Sequence, residues 1–209
     1  MNQHVQPCMF SGAALQPDWP FGALEPWSFD LIFADPPWHF QLFSEKGESK
    51  SAQSQYATMP LDAIKALPVG ELAAKDCVLV LWATAPMLPD AIATMEAWNF
   101  RYVTMGAWHK RTVHDKSAFG TGYVLRSACE PFLIGKRGEP QTSRSVRNII
   151  VGKVREHSRK PEEAFAAAEK LMPNARRVEL FSRMRRPNWD SWGLETEKFN
   201  SNAMGDSNG

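Results

Sequence analysis

Phe29-Asp30-Leu31-Ile32-Phe33-Ala34-Asp35-Pro36-Pro37-Trp38 is an apolar run that stops abruptly at a carboxylate, two prolines and an indole. Leu31 to Ala34 is a short continuous apolar segment of the kind a parallel sheet buries on both faces. Pro36 and Pro37 have no N–H to donate to a ladder, so strand pairing ends there. The expectation is a buried strand with Asp35 at its carboxyl end, where open α/β sheets place their ligands. A surface turn is the competing reading, because Asp-Pro and Pro-Pro are ordinary loop punctuation.

Working outward, Gln41 to Thr58 is polar and nearly free of aliphatic residues, which predicts a long lid-like loop. Pro60 suits the first turn of a helix whose apolar face is Leu61, Ile64 and Leu67, closed by Pro68. Cys77 to Ala83 reads as a second buried strand, Leu88 to Trp98 as a helix facing the core through Ala91, Ile92 and Met95, and Arg101 to Trp108 as a third strand. Tyr123 to Arg126 and Pro131 to Gly135 read as strand segments flanking Glu130, between a loop at His109–Gly122 and a basic loop at Lys136–Arg147. Ile149 to Val151 is a brief apolar piece. Pro161, Glu162 and Glu163 open a helix lined by Phe165, Ala168, Leu171 and Met172, and Val178 to Phe181 is a further strand. Strands alternating with helices predict a mostly parallel, doubly wound α/β sheet.

The 209 residues, 44% hydrophobic, suffice for one domain with a proper core. We divide them into an irregular arm over 1–26, a domain over 27–199 and a disordered Asn, Ser and Gly tail over 200–209. With 24 Lys and Arg against 23 Asp and Glu the formal charge is +1, so a polyanion partner must meet local basic patches. Cys8, Cys77 and Cys129 form no Cys-x-x-Cys, which argues against a disulfide framework or a zinc ribbon, and no metal site is expected. The longest apolar run is far below the ~20 residues that span a bilayer, so the expected location is the cytoplasm.

The carboxylate and prolines fit the task of holding an exocyclic amine conjugated to an aromatic ring. Such an amine is a poor nucleophile with two hydrogens to donate, and Asp35 with the carbonyls of Pro36 or Pro37 supplies acceptors for both. Gripping both hydrogens aims the nitrogen lone pair at an electrophile. Trp38 is expected to stack on the base, which must first leave any duplex.

Downstream come His157-Ser158-x-Lys160-Pro161, Glu179-Leu180-Phe181-x-Arg183 and Trp192-Gly193-x-Glu195. Between them Tyr56-x-x-Met59, Leu81-Trp82-x-Thr84, Trp108-x-Lys110 and Gly122 to Glu130 fall in matching order. With Asp35-Pro36-Pro37-Trp38 these blocks resemble the MT-A family of adenine N(6) methyltransferases, over about Phe29 to Glu195. The resemblance implies a single-domain, Rossmann-like S-adenosylmethionine-dependent methyltransferase fold in permuted motif order, which accounts for the lack of an early Gly-x-Gly-x-x-Gly.

It further implies catalytic roles for Asp35, Pro36, Pro37 and Trp38, and donor binding by Lys160, Arg183, Arg185 and Glu195. Lys160, near a helix amino end, is expected to meet the donor's carboxylate. Leu194 stands where the family commonly has Asn. On the substrate side, Tyr56 reads as a base-pocket or packing residue, and Lys110 and Arg111 as phosphate contacts or solvated charges. Glu130 either orders the pocket or pairs with Arg126. The implied partner is nucleic acid, DNA before RNA, with no membrane and with room for a homo- or heterodimer. A non-catalytic nucleic-acid-binding subunit is the alternative function.

Overall fold

The computed structural model describes residues 19–39, 58–120, 122, 124–155, 159–194 and 196. Tyr56, Glu195, nearly all of the expected lid and the tail over 200–209 lie outside the described residues.

The opening apolar run forms β1 (Phe29–Ala34), and every residue of it except Asp30 is buried. Its alternate side chains belong to two different cores. Ile32 and Ala34 enter one, and Leu31 and Phe33 the other. This two-sided burial is what a continuous apolar strand requires. β2 (Ala73–Trp82) repeats the pattern, with Leu79 and Leu81 on the first face and Val78, Val80 and Trp82 on the second.

Between these strands run α1 (Leu61–Ala66) and α2 (Val69–Leu72), and after them α3 (Leu88–Ala97). All three cover the first face through residues such as Ile64, Leu72 and Met95. At Gly135 a Cβ would fall 2.6 Å from the Met95 sulfur, so only glycine lets α3 lie this close to the sheet. The other face is covered by α4 (Glu162–Leu171), which buries Ala164, Phe165 and Ala168 and carries Glu162 and Glu163 in its first turn, as read from Pro161.

The remaining strands are β3 (Arg101–Arg111), β4 (Cys129–Arg137), β5 (Ile149–Lys153), β6 (Arg177–Leu180) and β7 (Asp190–Trp192). The seven strands lie in the order β5-β3-β4-β2-β1-β6-β7. Every pairing is parallel except those of β4, which runs antiparallel to both β2 and β3. The mostly parallel, helix-flanked sheet is the Rossmann-like methyltransferase architecture the motifs implied.

Two sequence expectations are corrected. Val124, Leu125 and Arg126 are not strand but exposed irregular chain, with Val124 and Leu125 95% and 82% exposed. The β3 ladder with β4 ends at His109 opposite Cys129, three residues beyond Arg126. Lys136 and Arg137 belong to β4 rather than to the basic loop. β7, a strand not foreseen, closes the sheet beside β6.

β1 is parallel to β2 on one side and β6 on the other. The helices between β1 and β2, α1 and α2, pack on one face of the sheet, and α4, between β5 and β6, packs on the other. The crevice outside the carboxyl ends of β1 and β6 is therefore the topological switch point, where doubly wound sheets take their ligands.

Candidate active site

Asp35 stands at that point, one residue beyond β1. The two prolines after it turn the chain without strand pairing. The Trp38 N–H donates to the Pro36 carbonyl at 2.8 Å, which closes a tight turn centred on Pro37. The Met59 N–H donates to the Pro37 carbonyl at 2.9 Å. Among the described residues each proline carbonyl thus holds one backbone partner, which leaves a second lone pair to accept another hydrogen.

Trp38 takes a different place from the one its sequence context suggested. It is 5% exposed within the first core, and its Nε1–H donates to the Trp82 carbonyl at 2.9 Å. Burial of the large ring and satisfaction of its N–H make it an anchor for the Asp-Pro-Pro turn rather than an open stacking face.

Beside Asp35 lies a chain of alternating charge. Lys160 Nζ is 2.7 Å from Asp35 Oδ2 and 2.7 Å from Glu130 Oε1, and Glu130 Oε2 is 2.9 Å from Lys110 Nζ. The Lys160 side chain is 7% exposed and its ammonium lies 5.1 Å from the Trp82 ring centroid. Both carboxylate oxygens of Glu130 thus face lysines, Lys160 and Lys110. Glu130 reaches this edge because β4 runs backwards, so that the start of β4 meets the ends of β2 and β3.

The two carboxylates that share Lys160 differ in their hold on a proton. Burial pushes Asp35 up from the usual carboxylate range, and although Lys160 pulls it down, Glu130 adds to the rise. Burial also pushes Glu130 up, but Lys160 and Lys110 together outweigh it and bring it down to about 2. For Lys160, burial opposes the charge, and the two carboxylates overcome it and raise its affinity for the proton. Asp35 is the member of the cluster better suited to receive a proton.

Asp35, Arg159, Lys160, Glu179, Phe181 and Arg183 line one small pocket together with Phe165 and Met184, with a cavity volume of about 20 Å³. Its far wall is the turn after β6. Phe181 holds a left-handed backbone, φ 61°, which is strained for a residue with a β-carbon. The Ser182 N–H fixes the turn by donating to the Trp192 carbonyl at 2.9 Å. Gly193 abuts it so closely that a Cβ would lie 2.5 Å from the Ser182 carbonyl oxygen. This explains the Trp192-Gly193 pair, since a larger residue would force the turn open.

Glu179 is the site residue the sequence reasoning left out. Burial pushes its carboxyl up to about 7, against a hydrogen bond from Ser182 and the charge of Arg186. Its signal was an acidic residue between Val178 and Leu180 in an otherwise apolar strand, because such a group is rarely buried without a task.

Of the other expected residues, Arg183 lines the pocket, whereas Arg185 is exposed and is not among the lining residues. Lys110 stands at the edge of the charge cluster, and Arg111 is tied to Asp115 at 3.1 Å.

The family model described as MT-A70 matches residues 29–195. The chain belongs to the MT-A70 family. Among its relatives is the type II methyltransferase M.MunI of Mycoplasma sp, 31% identical over 185 residues that cover 80% of this chain and 77% of that protein. Mouse N(6)-adenine-specific methyltransferase METTL4 is 27% identical over 188 residues, 82% of this chain and 38% of its own. Human N(6)-adenosine-methyltransferase catalytic subunit METTL3 is 29% identical over 175 residues, 81% of this chain and 28% of its own. The MT-A70 chain described here thus spans most of the mycoplasma protein and well under half of these mammalian relatives. The matched region runs from β1 through β7, so it takes in Asp35, Glu130, Lys160 and the wall after β6.

Proposed function

We propose that this protein transfers a methyl group from S-adenosylmethionine to the N6 amine of adenine in nucleic acid, with DNA preferred over RNA. The observation that carries the reading is Asp35, held at the switch point by Lys160 and backed by two proline carbonyls that each keep a lone pair. The order of DNA before RNA rests on coverage: the match takes in 77% of a type II methyltransferase and only 22% and 28% of relatives named for adenosine.

The pocket chemistry suits the donor. Cationic Lys160 and Arg183, the carboxyl of Glu179 and the rings of Phe165 and Phe181 border one space, which matches an amino-acid group, a ribose and a sulfonium. When bound there, S-adenosylmethionine would supply an electrophilic methyl group, its carbon–sulfur bond breaking as the carbon–nitrogen bond forms and the sulfonium leaving as a neutral thioether. In this reading Lys160 and Arg183 hold the donor's carboxylate, with Arg185 and Glu195 completing the donor site from the segment beyond β6.

Asp35 accepts one amine hydrogen, and the free lone pair of the Pro36 or Pro37 carbonyl accepts the other. As the nitrogen forms its new bond to carbon it becomes positive and its remaining protons become acidic. Asp35, whose burial favours the protonated form, takes one of them and passes it to water. Glu130 keeps Lys160 paired while Asp35 is neutral, so the lysine charge is never left alone in the interior. Trp38 fixes the turn from below. Tyr56, Lys110 and Arg111 complete the proposed substrate side.

The relatives' names include a catalytic subunit, and a homo- or heterodimer is part of the proposal. So is a cytoplasmic location; among the described residues no helix is long and apolar enough to cross a membrane.

The test is incubation of the purified chain with labelled donor and unmodified DNA or RNA, followed by nucleoside analysis. N6-methyladenine is the expected product, in DNA above RNA. Label in cytosine alone, or in neither polymer, overturns the activity; RNA labelled as well as DNA overturns the preference.

A further inference from the structure

Arg177 opens β6 at the amino edge of the sheet, away from Asp35. The register of β1 with β6 sets Arg177 beside Leu31 and Leu180 beside Ala34, so Asp35 stands four residues further along, about 13 Å of strand. The Arg177 side chain is only 8% exposed, yet no carboxylate among the described residues forms an ion pair with it. The acidic groups on the elements around it are engaged elsewhere. Asp190 and Glu25 both hold Arg176, and Glu169 accepts from the Trp189 Nε1–H at 2.8 Å.

Part of the Arg177 charge is answered by the carboxyl end of α4. Nη2 donates to the Met172 carbonyl at 2.8 Å and to the Pro173 carbonyl, which meets the partial negative charge of that helix end. This uses two of the five guanidinium N–H groups. Nε is buried with no acceptor among the described residues. Nη1 has no acceptor there either, and it is not sealed from solvent. A buried cation with unmet donors is costly unless something outside the fold completes it.

Arg177 lines a cleft of about 320 Å³ together with Arg176, Asn188, Trp189 and Asp190. Asn188 adds an amide at the exposed rim, on a left-handed backbone, φ 64°, that asparagine adopts readily. None of these five residues borders the pocket beside Asp35.

We propose that this cleft binds a phosphorylated small molecule of about mononucleotide size, with Nη1 of Arg177 as the anchor for its phosphate. The site stands apart from the methyl-transfer reading. A phosphate monoester brings three acceptor oxygens and close to two negative charges, which supply the acceptors and the counter-charge Arg177 lacks. Arg176, already shared between Asp190 and Glu25, is the second cation at the rim. The cleft is larger than one phosphate needs and falls at the lower end of the range of small-molecule sites, about 300–1,000 Å³. The phosphate comes either free or on a sugar, and the experiment separates the two.

The full chain is titrated calorimetrically with uridine monophosphate, ribose 5-phosphate, inorganic phosphate and uridine; a uracil base keeps the probe from the amine clamp at Asp35. Both esters should bind, inorganic phosphate about tenfold more weakly, and uridine not at all. Arg177→Gln should weaken the esters about tenfold. Glu25→Gln frees Arg176 from one anion and should tighten them about threefold, a gain that misfolding does not produce. Arg183→Gln, in the pocket beside Asp35, should leave their affinity unchanged.

No binding of either ester, or binding that depends on Arg183 and not on Arg177, overturns the site. Inorganic phosphate held as tightly as the esters overturns the sugar-phosphate ligand. Arg177 also caps α4, so a melting curve checks the fold of Arg177→Gln; where that variant does not fold, an unchanged affinity in Glu25→Gln overturns the site by itself.

Discussion

Replacing Lys160 by methionine keeps the length of the side chain and removes its charge. In the native structure that ammonium sits 2.7 Å from both Asp35 and Glu130 and is almost sealed from water. Removing one partner of a buried ion pair costs about 3–5 kcal/mol, because the remaining charge is left uncompensated. For a chain of this size each kcal/mol lowers the melting temperature by roughly 2–4 °C, so Lys160→Met should lose about 6–20 °C at pH 8.

The sign of the pH dependence is the sharper part. Without the lysine, Asp35 loses the main charge that opposes its burial and its folded-state proton affinity stands further above the unfolded value, so at this group the folded variant binds more protons than the unfolded one through the acid range. Its stability then falls as pH rises, and the deficit against the native protein should be largest at pH 8 and shrink towards pH 5. Urea denaturation at a series of pH values measures this. A deficit below about 1 kcal/mol at pH 8, or one independent of pH, would refute the account of a buried, mutually dependent charge cluster.

Asp35→Asn should reduce methyl transfer by about a hundredfold or more in a single-turnover assay, with donor-induced thermal stabilisation preserved; near-normal turnover removes Asp35 from the chemistry. Glu179, raised to about 7, favours folding fully below its unfolded value of 4.5 and loses that contribution as pH climbs to 7, so Glu179→Gln should melt higher than the native protein at pH 8 and level with it near pH 4.5. Gly193→Ala forces a Cβ against the Ser182 backbone and should cost about 1–3 kcal/mol in chemical denaturation. Trp38→Phe strands the buried Trp82 carbonyl, a loss of about 1–3 kcal/mol, and should lower turnover more than donor affinity as measured by initial rates and calorimetry.

Much of this architecture was legible because burial leaves a pattern in the chain. β1 and β2 are apolar on both faces, which only a central strand tolerates, and Pro36 and Pro37 mark where β1 must stop. Pro161 and its two glutamates announce α4. What escaped depends on contacts between distant segments. Nothing around Glu130 indicates that β4 is reversed, and it is that reversal which brings Glu130 to Lys160 beside Asp35. Trp38 misled for a related reason: an indole next to a catalytic carboxylate suggests a stacking surface, and only the position of the Trp82 carbonyl shows it to be a brace. β7 is three residues long with polar neighbours, and it is a strand only because β6 lies beside it.

The reversed β4 has one more consequence. Because β3 and β4 are adjacent and antiparallel, the chain between Arg111 and Cys129 begins and ends at neighbouring points, clamped where His109 faces Cys129. A doubling of that connection adds only about 0.6 kcal/mol of closure entropy. Lys110 and Glu130 stay where they are whatever length or composition lies between them. The hairpin is thus a cassette: the length between its two anchors can be rewritten, by evolution or by grafting, while Lys110 and Glu130 remain set in β3 and β4.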